Sequence, residues 1–219
     1  MEQPYNATIA ELVTSLRQGL IQVPRFQRPF VWDDEQRLEL LRSIGDGIPV
    51  GSILLWKTDC HELSCFDRVG PHPMAPPPTV PGNIRQYLLD GHQRLSTLFG
   101  ALHLLPAGWE PEEDGPDWRI VYDLRSREFL FPGRRPARPE WMPAHCLADR
   151  RAYVRFLREL PRELPASVAE ELEQAAEAIL LRFDEYKIPV VVLSTDKFEI
   201  ATRTFQRVNS QATDRKSVV

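Results

Sequence analysis

Residues 90–94, with the sequence DGHQR, have the residue types of an anion-binding turn. They follow an apolar run at 87–89 and precede apolar residues at helical spacing, which predicts a strand, a tight turn and a helix N-terminus. Backbone N–H groups at a helix N-terminus point towards a bound anion, and the helix dipole favours negative charge there. Gly91 has no Cβ to block close approach, and Arg94 can bind phosphate through two hydrogen bonds. The motif is therefore a candidate phosphate site.

A purely structural interpretation of the same motif stays open from these residues alone. Asp90 could cap the helix, Gly91 could serve the turn, and Arg94 could be a solvated side chain of the first helical turn. Short glycine motifs often match by chance, so the weight of the phosphate interpretation depends on other segments.

The segment Ile21–Trp32, with the sequence IQVPRFQRPFVW, alternates aromatic and cationic side chains. Arginine binds phosphate, and aromatic rings stack on nucleic-acid bases. Gln27 and Arg28 are expected to face the phosphate site, although the aromatic residues could instead anchor an extended segment to the core. The candidate DNA-binding residues of this segment are Arg25, Phe30 and Trp32.

A third segment, Phe205–Asn209 (FQRVN), lies at the C-terminal end of the last predicted helix. Arg207 and Asn209 could reach across a pocket while Phe205 and Val208 hold the helix against the core. The helix dipole alone also favours an arginine near a helix C-terminus, so a structural role for Arg207 stays open.

Other sequence signals indicate the elements that must position these motifs. Thr8 with Glu11, and Asp33 with Gln36, have the spacing of capping boxes before apolar helical stripes. Residues 188–193 are apolar and mostly β-branched, which predicts a buried strand.

Along the chain, the motifs come in the order Ile21–Trp32, Ile48–Trp56 (IPVGSILLW), DGHQR and FQRVN. Together and in this order they resemble the N-terminal domain of GmrSD-type modification-dependent restriction enzymes and related phage-defence proteins. The resemblance extends over about residues 9–213. It implies a ParB/sulfiredoxin-like fold, which is an α/β (α+β) mixed sheet flanked by helices. The family motif is usually DGQQR, so His92 replaces a glutamine. The residues after Asn209 also depart from the small residue, glycine and apolar residue that usually follow.

The resemblance implies a domain that binds and hydrolyses a nucleoside triphosphate with Mg²⁺ and senses DNA, including modified DNA; GTP, ATP, CTP and UTP are not distinguished. Asp90 would hold Mg²⁺ or position water, Arg94 would stabilise phosphate charge, and Gln93 with Gln27 would orient the nucleotide. The predicted catalytic residues are thus Asp90, Gln93 and Arg94. The predicted nucleotide-binding residues are Gln27, Arg28, Gly91, His92, Arg207 and Asn209.

Two alternatives belong to other functional classes. One is a non-catalytic module in which nucleotide binding switches a DNA or protein contact. The other is a ParB-like nuclease that acts directly on DNA. The sequence contains no recognisable histidine pair of a metal-dependent nuclease, so we expect any DNA cleavage to belong to an effector nuclease domain or subunit.

The net charge of −4 argues against attraction of nucleic acid to the whole surface, but local cationic surfaces survive a negative total. Most of the positive charge is arginine, and it lies in three groups. They comprise Arg25, Arg28, Arg37 and Arg42; Arg125, Arg127, Arg134, Arg135 and Arg138; and Arg150, Arg151, Arg155, Arg158 and Arg162.

Length and composition predict a single domain over residues 1–219, with a proline-rich loop at 58–83 and a helical insertion at 147–183. A hairpin is predicted within 118–131. The three cysteines are an odd number, which favours a reducing, cytoplasmic setting over a disulfide framework. No apolar run approaches the roughly 18 residues of a membrane span, so we expect no membrane partner, and oligomerisation stays open.

Overall fold

Helices and strands follow one another from Tyr5 to Asp214. The computed structural model describes residues 2–79, 81–113 and 115–214, with the backbone alone for Pro81 and for 209–214. Its strands are Tyr5–Thr8 (β1), Ile53–Thr58 (β2), Arg68–Val69 (β3), His72–Pro73 (β4), Arg85–Asp90 (β5), Val121–Asp123 (β6), Glu128–Leu130 (β7), Trp141–Pro143 (β8) and Lys187–Ser194 (β9). Its α-helices are Ile9–Arg17 (α1), Asp34–Gly45 (α2), His92–Leu102 (α3), Arg150–Glu163 (α4), Ala166–Glu185 (α5) and Phe198–Asp214 (α6).

Both predicted capping boxes are confirmed. The Thr8 hydroxyl accepts a hydrogen bond from the Glu11 amide, and the Glu11 carboxylate accepts one from the Thr8 amide at 2.7 Å. Asp33 and Gln36 exchange the same pair of bonds at the start of α2. These reciprocal bonds satisfy backbone donors that the first helical turn leaves without partners.

The main sheet has the strand order β1-β9-β2-β5 and mixes parallel with antiparallel pairing. Strand β2 runs parallel to β9 and antiparallel to β5, so Ile53 is paired with Val190 and Leu54 with Asp90. The end of β5 and the starts of β2 and β9 therefore lie at the same end of the sheet. The predicted α/β class is confirmed, while the ParB/sulfiredoxin-like topology stays a prediction.

The two faces of this sheet contact different helices. On one face, Leu55 and Leu88 belong to the main core, into which α1, α2, α3 and α5 pack. On the other face, Trp56 and Leu89 pack with Ala201 of α6. Since successive side chains of a strand point to opposite faces, the helix that carries DGHQR and the helix that carries FQRVN are separated by the sheet.

The remaining elements complete the main core. The predicted hairpin forms as β6 and β7, and β8 pairs with the other edge of β6. The predicted helical insertion contains α4 and α5, and the apolar face of α5 belongs to the main core. The proline-rich loop holds the short pair of strands β3 and β4. None of the helices in the described ranges is both long enough and apolar enough to cross a membrane.

Arg37 of α2 is fully buried, which the sequence did not indicate. Its guanidinium lies between the rings of Trp118 and Phe131, at 5.0 and 4.7 Å from their centroids. It also donates to the backbone carbonyl of Asp117 and pairs with the Asp34 carboxylate. Burial lowers the pKa of Arg37, but arginine stays protonated in proteins. Arg37 therefore does not contribute to a cationic surface of the first arginine group, because its side chain is not exposed to solvent.

We predict that Arg37→Ala destabilises the protein far more than Arg42→Ala on the same helix. Loss of the buried cation leaves the Asp117 carbonyl unpaired and opens a cavity between two rings, so the free energy of unfolding should fall by about 3–5 kcal/mol. Arg42 is paired only with exposed carboxylates, and its loss should cost about 0–1 kcal/mol. Urea unfolding of both variants measures the difference. Similar losses in the free energy of unfolding would show that the buried arginine does not stabilise the fold more than the exposed one.

Candidate functional site

The DGHQR segment forms the predicted strand, turn and helix start. Strand β5 ends at Asp90, Gly91 has a φ of 97°, and α3 begins at His92. A Cβ at Gly91 would overlap the Cδ1 atom of Ile53, so both the backbone angle and the space require glycine. Gly91 provides no side-chain cap, and the N–H groups of the first turn precede the first helical bond. The first turn of α3 therefore has no side-chain cap.

An ion pair lies beside this turn. Nη2 of Arg94 donates to Oδ2 of Asp90 at 3.0 Å, and Nη1 donates to the carbonyl of Val50 at 2.8 Å. Gly51 also allows close approach, because a Cβ there would lie 2.5 Å from Nη1 of Arg94. Neither charged side chain is fully buried, since 18% of Arg94 and 31% of Asp90 is exposed. Arg94 thus joins α3 to the segment before β2 while remaining accessible.

The carboxamide of Gln93 holds the aromatic and cationic loop at 24–32. Its Oε1 accepts hydrogen bonds from the amides of Val31 and Trp32, at 2.9 and 3.3 Å. Its Nε2 donates to the carbonyl of Pro29 at 3.0 Å. The side chain is almost entirely buried. The structure therefore gives Gln93 a positioning role that sequence reasoning did not identify.

A second glutamine, Gln27, attaches the same loop to strand β5. Its Nε2 donates to the carbonyls of Leu88 and Leu89, at 2.8 and 3.0 Å, and the residue is buried. Because Leu88 and Leu89 belong to the edge strand β5, this amide fastens the loop along the edge of the sheet. Gln27 therefore does not face open solvent.

His92 is the third contact between the motif and the loop. Its Nδ1 lies 3.1 Å from the carbonyl of Arg28, which requires a proton on Nδ1, and its ring is stacked on Phe66. Burial lowers the pKa of His92, and the nearby charge of Arg28 adds to the effect. The bond to the Arg28 carbonyl opposes this shift but does not cancel it. His92 is therefore a buried neutral imidazole.

The other predicted residues of the loop differ in exposure. The Arg28 side chain is exposed. Arg25 is also exposed and donates to the carbonyl of Cys65 at 3.0 Å, with Asp67 at 3.6 Å. Phe30 packs against Trp118, and Trp32 is half-buried against the main core. The loop thus presents two arginines and uses part of its aromatic surface for anchoring.

Helix α6 approaches the loop from the other face of the sheet. Phe205 contacts Phe26 edge to face at 4.8 Å, and Arg207 is exposed. Asn209 is predicted to bind nucleotide, and its side chain lies outside the described part of the structure. The loop therefore contacts both the DGHQR motif and α6, although these two belong to opposite faces. Between loop and helix lies an apolar cavity of about 230 Å³ lined by Phe26, Trp56, Leu89, Phe198, Ala201, Thr202, Phe205 and Gln206.

A larger cleft of about 610 Å³ adjoins the segment that Arg94 contacts. Its walls include Gly51 and Ser52 before β2 and the cations Arg182 and Lys187 near the start of β9. Tyr186 closes one side, donating to the carbonyl of Ile48 at 2.6 Å and accepting from the Val50 amide at 3.0 Å. Sequence reasoning missed this cleft. The glycines of GIPVGS were the available signal, but only the pairing of β2 with β9 brings Lys187 there.

Among the side chains that the structure describes, one group has the ligand spacing of a metal site: Asp59, Cys60 and Asp196, all exposed. The group does not include Asp90, the predicted Mg²⁺ ligand. Mg²⁺ commonly uses only one or two carboxylates and takes its other ligands from phosphates and water. Asp90 as a single carboxylate fits that pattern, and Mg²⁺ binding there stays a prediction.

The comparison with known proteins matches most of the chain to one family. A family model described as "GmrSD restriction endonuclease, N-terminal domain" matches residues 9–214, which is nearly the whole chain. The curated proteins contain no match.

We predict that Gln93→Ala loosens the loop at 24–32. Three backbone groups lose a buried partner, so the free energy of unfolding should fall by about 1–3 kcal/mol. Hydrogen exchange at the amides of Val31 and Trp32 should become faster, because both donate to Gln93 in the parent. Gln206→Ala, on an exposed position of α6, is the control and should change stability by less than about 0.5 kcal/mol. Unchanged exchange at the two amides would contradict the positioning role.

We also predict that stability falls as the pH falls below about 6.5, the ordinary histidine pKa. Burial holds the pKa of His92 below that value, so the unfolded chain takes up protons before the folded chain does. Burial has the same effect at His72, whose pKa is about 4. His92→Gln keeps a donor for the Arg28 carbonyl and removes the titration, so urea unfolding at pH 7 and pH 5 should show a smaller loss than in the parent. An equal loss in both proteins would exclude His92 as a contributor.

Proposed function

We propose a function from the premise that the chain belongs to the family of GmrSD restriction endonuclease N-terminal domains. Membership makes the chain part of a restriction and defence system whose substrate is DNA. The proposed function is a nucleoside triphosphate-binding, DNA-sensing domain that regulates a nuclease domain or subunit. The observation that carries the nucleotide assignment is the uncapped turn at Gly91, which has an accessible arginine beside it.

The phosphates are proposed to bind at the N-terminus of α3. Backbone N–H groups and the helix dipole favour an anion there. Arg94 is close enough to pair with Asp90 across the turn. In this proposal a phosphate replaces Asp90 as the partner of Arg94, and Asp90 then becomes a ligand for Mg²⁺ that the phosphates bring.

Nucleotide binding would be coupled to the loop at 24–32. The first two residues of α3, His92 and Gln93, form hydrogen bonds to the backbone of that loop. A shift of this helical turn on phosphate binding would therefore move the loop and its exposed Arg28. The same loop contacts α6 through Phe26 and Phe205, so the shift would reach the second face of the sheet.

A second candidate function is a non-catalytic switch, in which the nucleotide is bound but not hydrolysed. One observation favours this switch over an NTPase. Gln93 and Gln27, the predicted orienting groups, already use their amides on backbone partners. Hydrolysis usually needs a side chain that positions the attacking water. With both carboxamides engaged, Asp90 is the predicted catalytic group that remains for this task. A ParB-like nuclease stays as the third alternative.

Arg28→Ala tests the phosphate site without disturbing the fold. Its guanidinium is exposed, and His92 contacts only its backbone carbonyl. Loss of a charge-assisted contact should weaken triphosphate binding by about 1.5–3 kcal/mol, and the Tm should stay nearly unchanged. Arg134→Ala, at an exposed position in the turn between β7 and β8, is the matched control. Calorimetric titration with each of the four triphosphates and Mg²⁺ measures the effect, and equal binding by both variants would contradict the proposal.

Asp90→Asn separates binding from turnover. The amide oxygen can still accept a hydrogen bond from Arg94, but the charge that would hold Mg²⁺ is removed. An NTPase should lose hydrolysis in this variant while it retains nucleotide binding. Labelled triphosphate with the parent protein decides between the two candidates, because binding without turnover in the presence of DNA would establish the switch and exclude the NTPase.

A further inference from the structure

One face of α4 carries four arginines in a line. They are spaced four, three and four residues apart, which puts them within a narrow arc of a helix that turns about 100° per residue. All four are exposed. With a rise of about 1.5 Å per residue, the line extends over about 16 Å of the surface. This arginine stripe consists of Arg151, Arg155, Arg158 and Arg162.

The stripe faces away from the core. Tyr153 and Leu160, on the opposite side of α4, are buried. The two acids of the helix, Glu159 and Glu163, lie on the same side of the stripe by helical geometry. The helix contains five arginines and two glutamates, so its outer surface is cationic although the chain has a net charge of −4.

No carboxylate in the described part of the chain lies within 4 Å of a stripe guanidinium. Asp149 caps α4, and its pKa is lowered first by the bond from the Ala152 amide, with the charge of Arg151 as a smaller cause. Four solvated cations on one line, without a carboxylate at salt-bridge distance in the described residues, repel one another and favour a polyanion.

Several members of the other two arginine groups are engaged in structure. Arg37 is buried, Arg42 is paired with carboxylates, and Arg135 and Arg138 lie over the Trp141 ring. The stripe differs because it places four arginines, none of them in a salt bridge among the described residues, along one line of a helix.

A polar cleft of about 540 Å³ continues the stripe at the N-terminal end of α4. Arg151 belongs to both the stripe and the cleft. Arg17, at the end of α1, and Arg150 add further cations to its lining, which also includes Asp149 and the polar side chains of His103 and Thr14. The cationic surface is therefore longer than the helix that carries most of it.

We propose that the arginine stripe binds the phosphate backbone of duplex DNA. Regularly spaced arginines on an exposed helix contact phosphates without reading the base sequence, so this surface holds the domain on DNA. The apolar face of α4 lies in the core, whereas a helix that binds a membrane must insert its apolar face into lipid. The proposal rests on the DNA-directed part of the proposed function and is independent of the nucleotide site.

The test compares two triple variants that remove the same charge. R155Q/R158Q/R162Q neutralises the stripe, and R125Q/R127Q/R134Q neutralises three exposed arginines around the hairpin of β6 and β7. A labelled duplex of about 20 base pairs is titrated by fluorescence anisotropy from about 50 to 200 mM KCl. Each lost phosphate contact lowers the log–log salt slope by about 0.9, so the stripe variant should lose about 2–3 units of slope, and the control less than one.

The affinity of the stripe variant should fall by the same factor on unmodified and modified duplexes, because phosphate contacts carry no sequence information. An unchanged slope, or equal losses in the two variants, would overturn the proposal. Stronger binding of the parent to phosphatidylserine vesicles than to the duplex would also overturn it. Thermal melting checks that both variants fold. Calorimetric titration with triphosphate separates the two proposals, because the stripe variant should bind nucleotide as the parent does even if the stripe does not bind DNA.

Discussion

The attachment of the loop at 24–32 to the first turn of α3 is the interaction on which the candidate site depends. A loop of alternating aromatic and cationic residues has no regular hydrogen-bonding pattern of its own, so its backbone groups need partners from elsewhere. Gln93 supplies three of them and Gln27 fastens the loop to β5. Without these bonds, the exposed arginines of the loop would have no fixed position relative to the turn at Gly91.

The same residue types serve the fold and the proposed chemistry. Arg94 joins α3 to the segment before β2 through the Val50 carbonyl, and it also lies beside Asp90 at the mouth of the turn. A variant of Arg94 would therefore change stability and binding together, whereas Arg28 contributes its side chain to solvent and its carbonyl to His92.

The sheet organises the two functional regions. Helix α3 packs on one face and α6 on the other, so the edge strand β5 and the loop beside it form the connection between them. The arginines are distributed by the same packing. Those that the core encloses, such as Arg37, act as structural cations between aromatic rings, while those on the outer face of α4 remain solvated and available to a polyanion.

The sequence by itself determined the local structure: both capping boxes, the turn at Gly91, the hairpin and the α/β class follow from short-range spacing and backbone preferences. The order of the motifs also indicated the family. Tertiary structure decided the roles of individual polar side chains, because burial and partners come from residues distant in the chain. Gln93 meets a loop about 60 residues away, Arg37 meets two rings that are about 80 or more residues away, and Lys187 reaches its cleft through strand pairing. No local pattern encodes such long-range contacts, so sequence reasoning located the motifs but could not separate ligand-facing groups from structural ones.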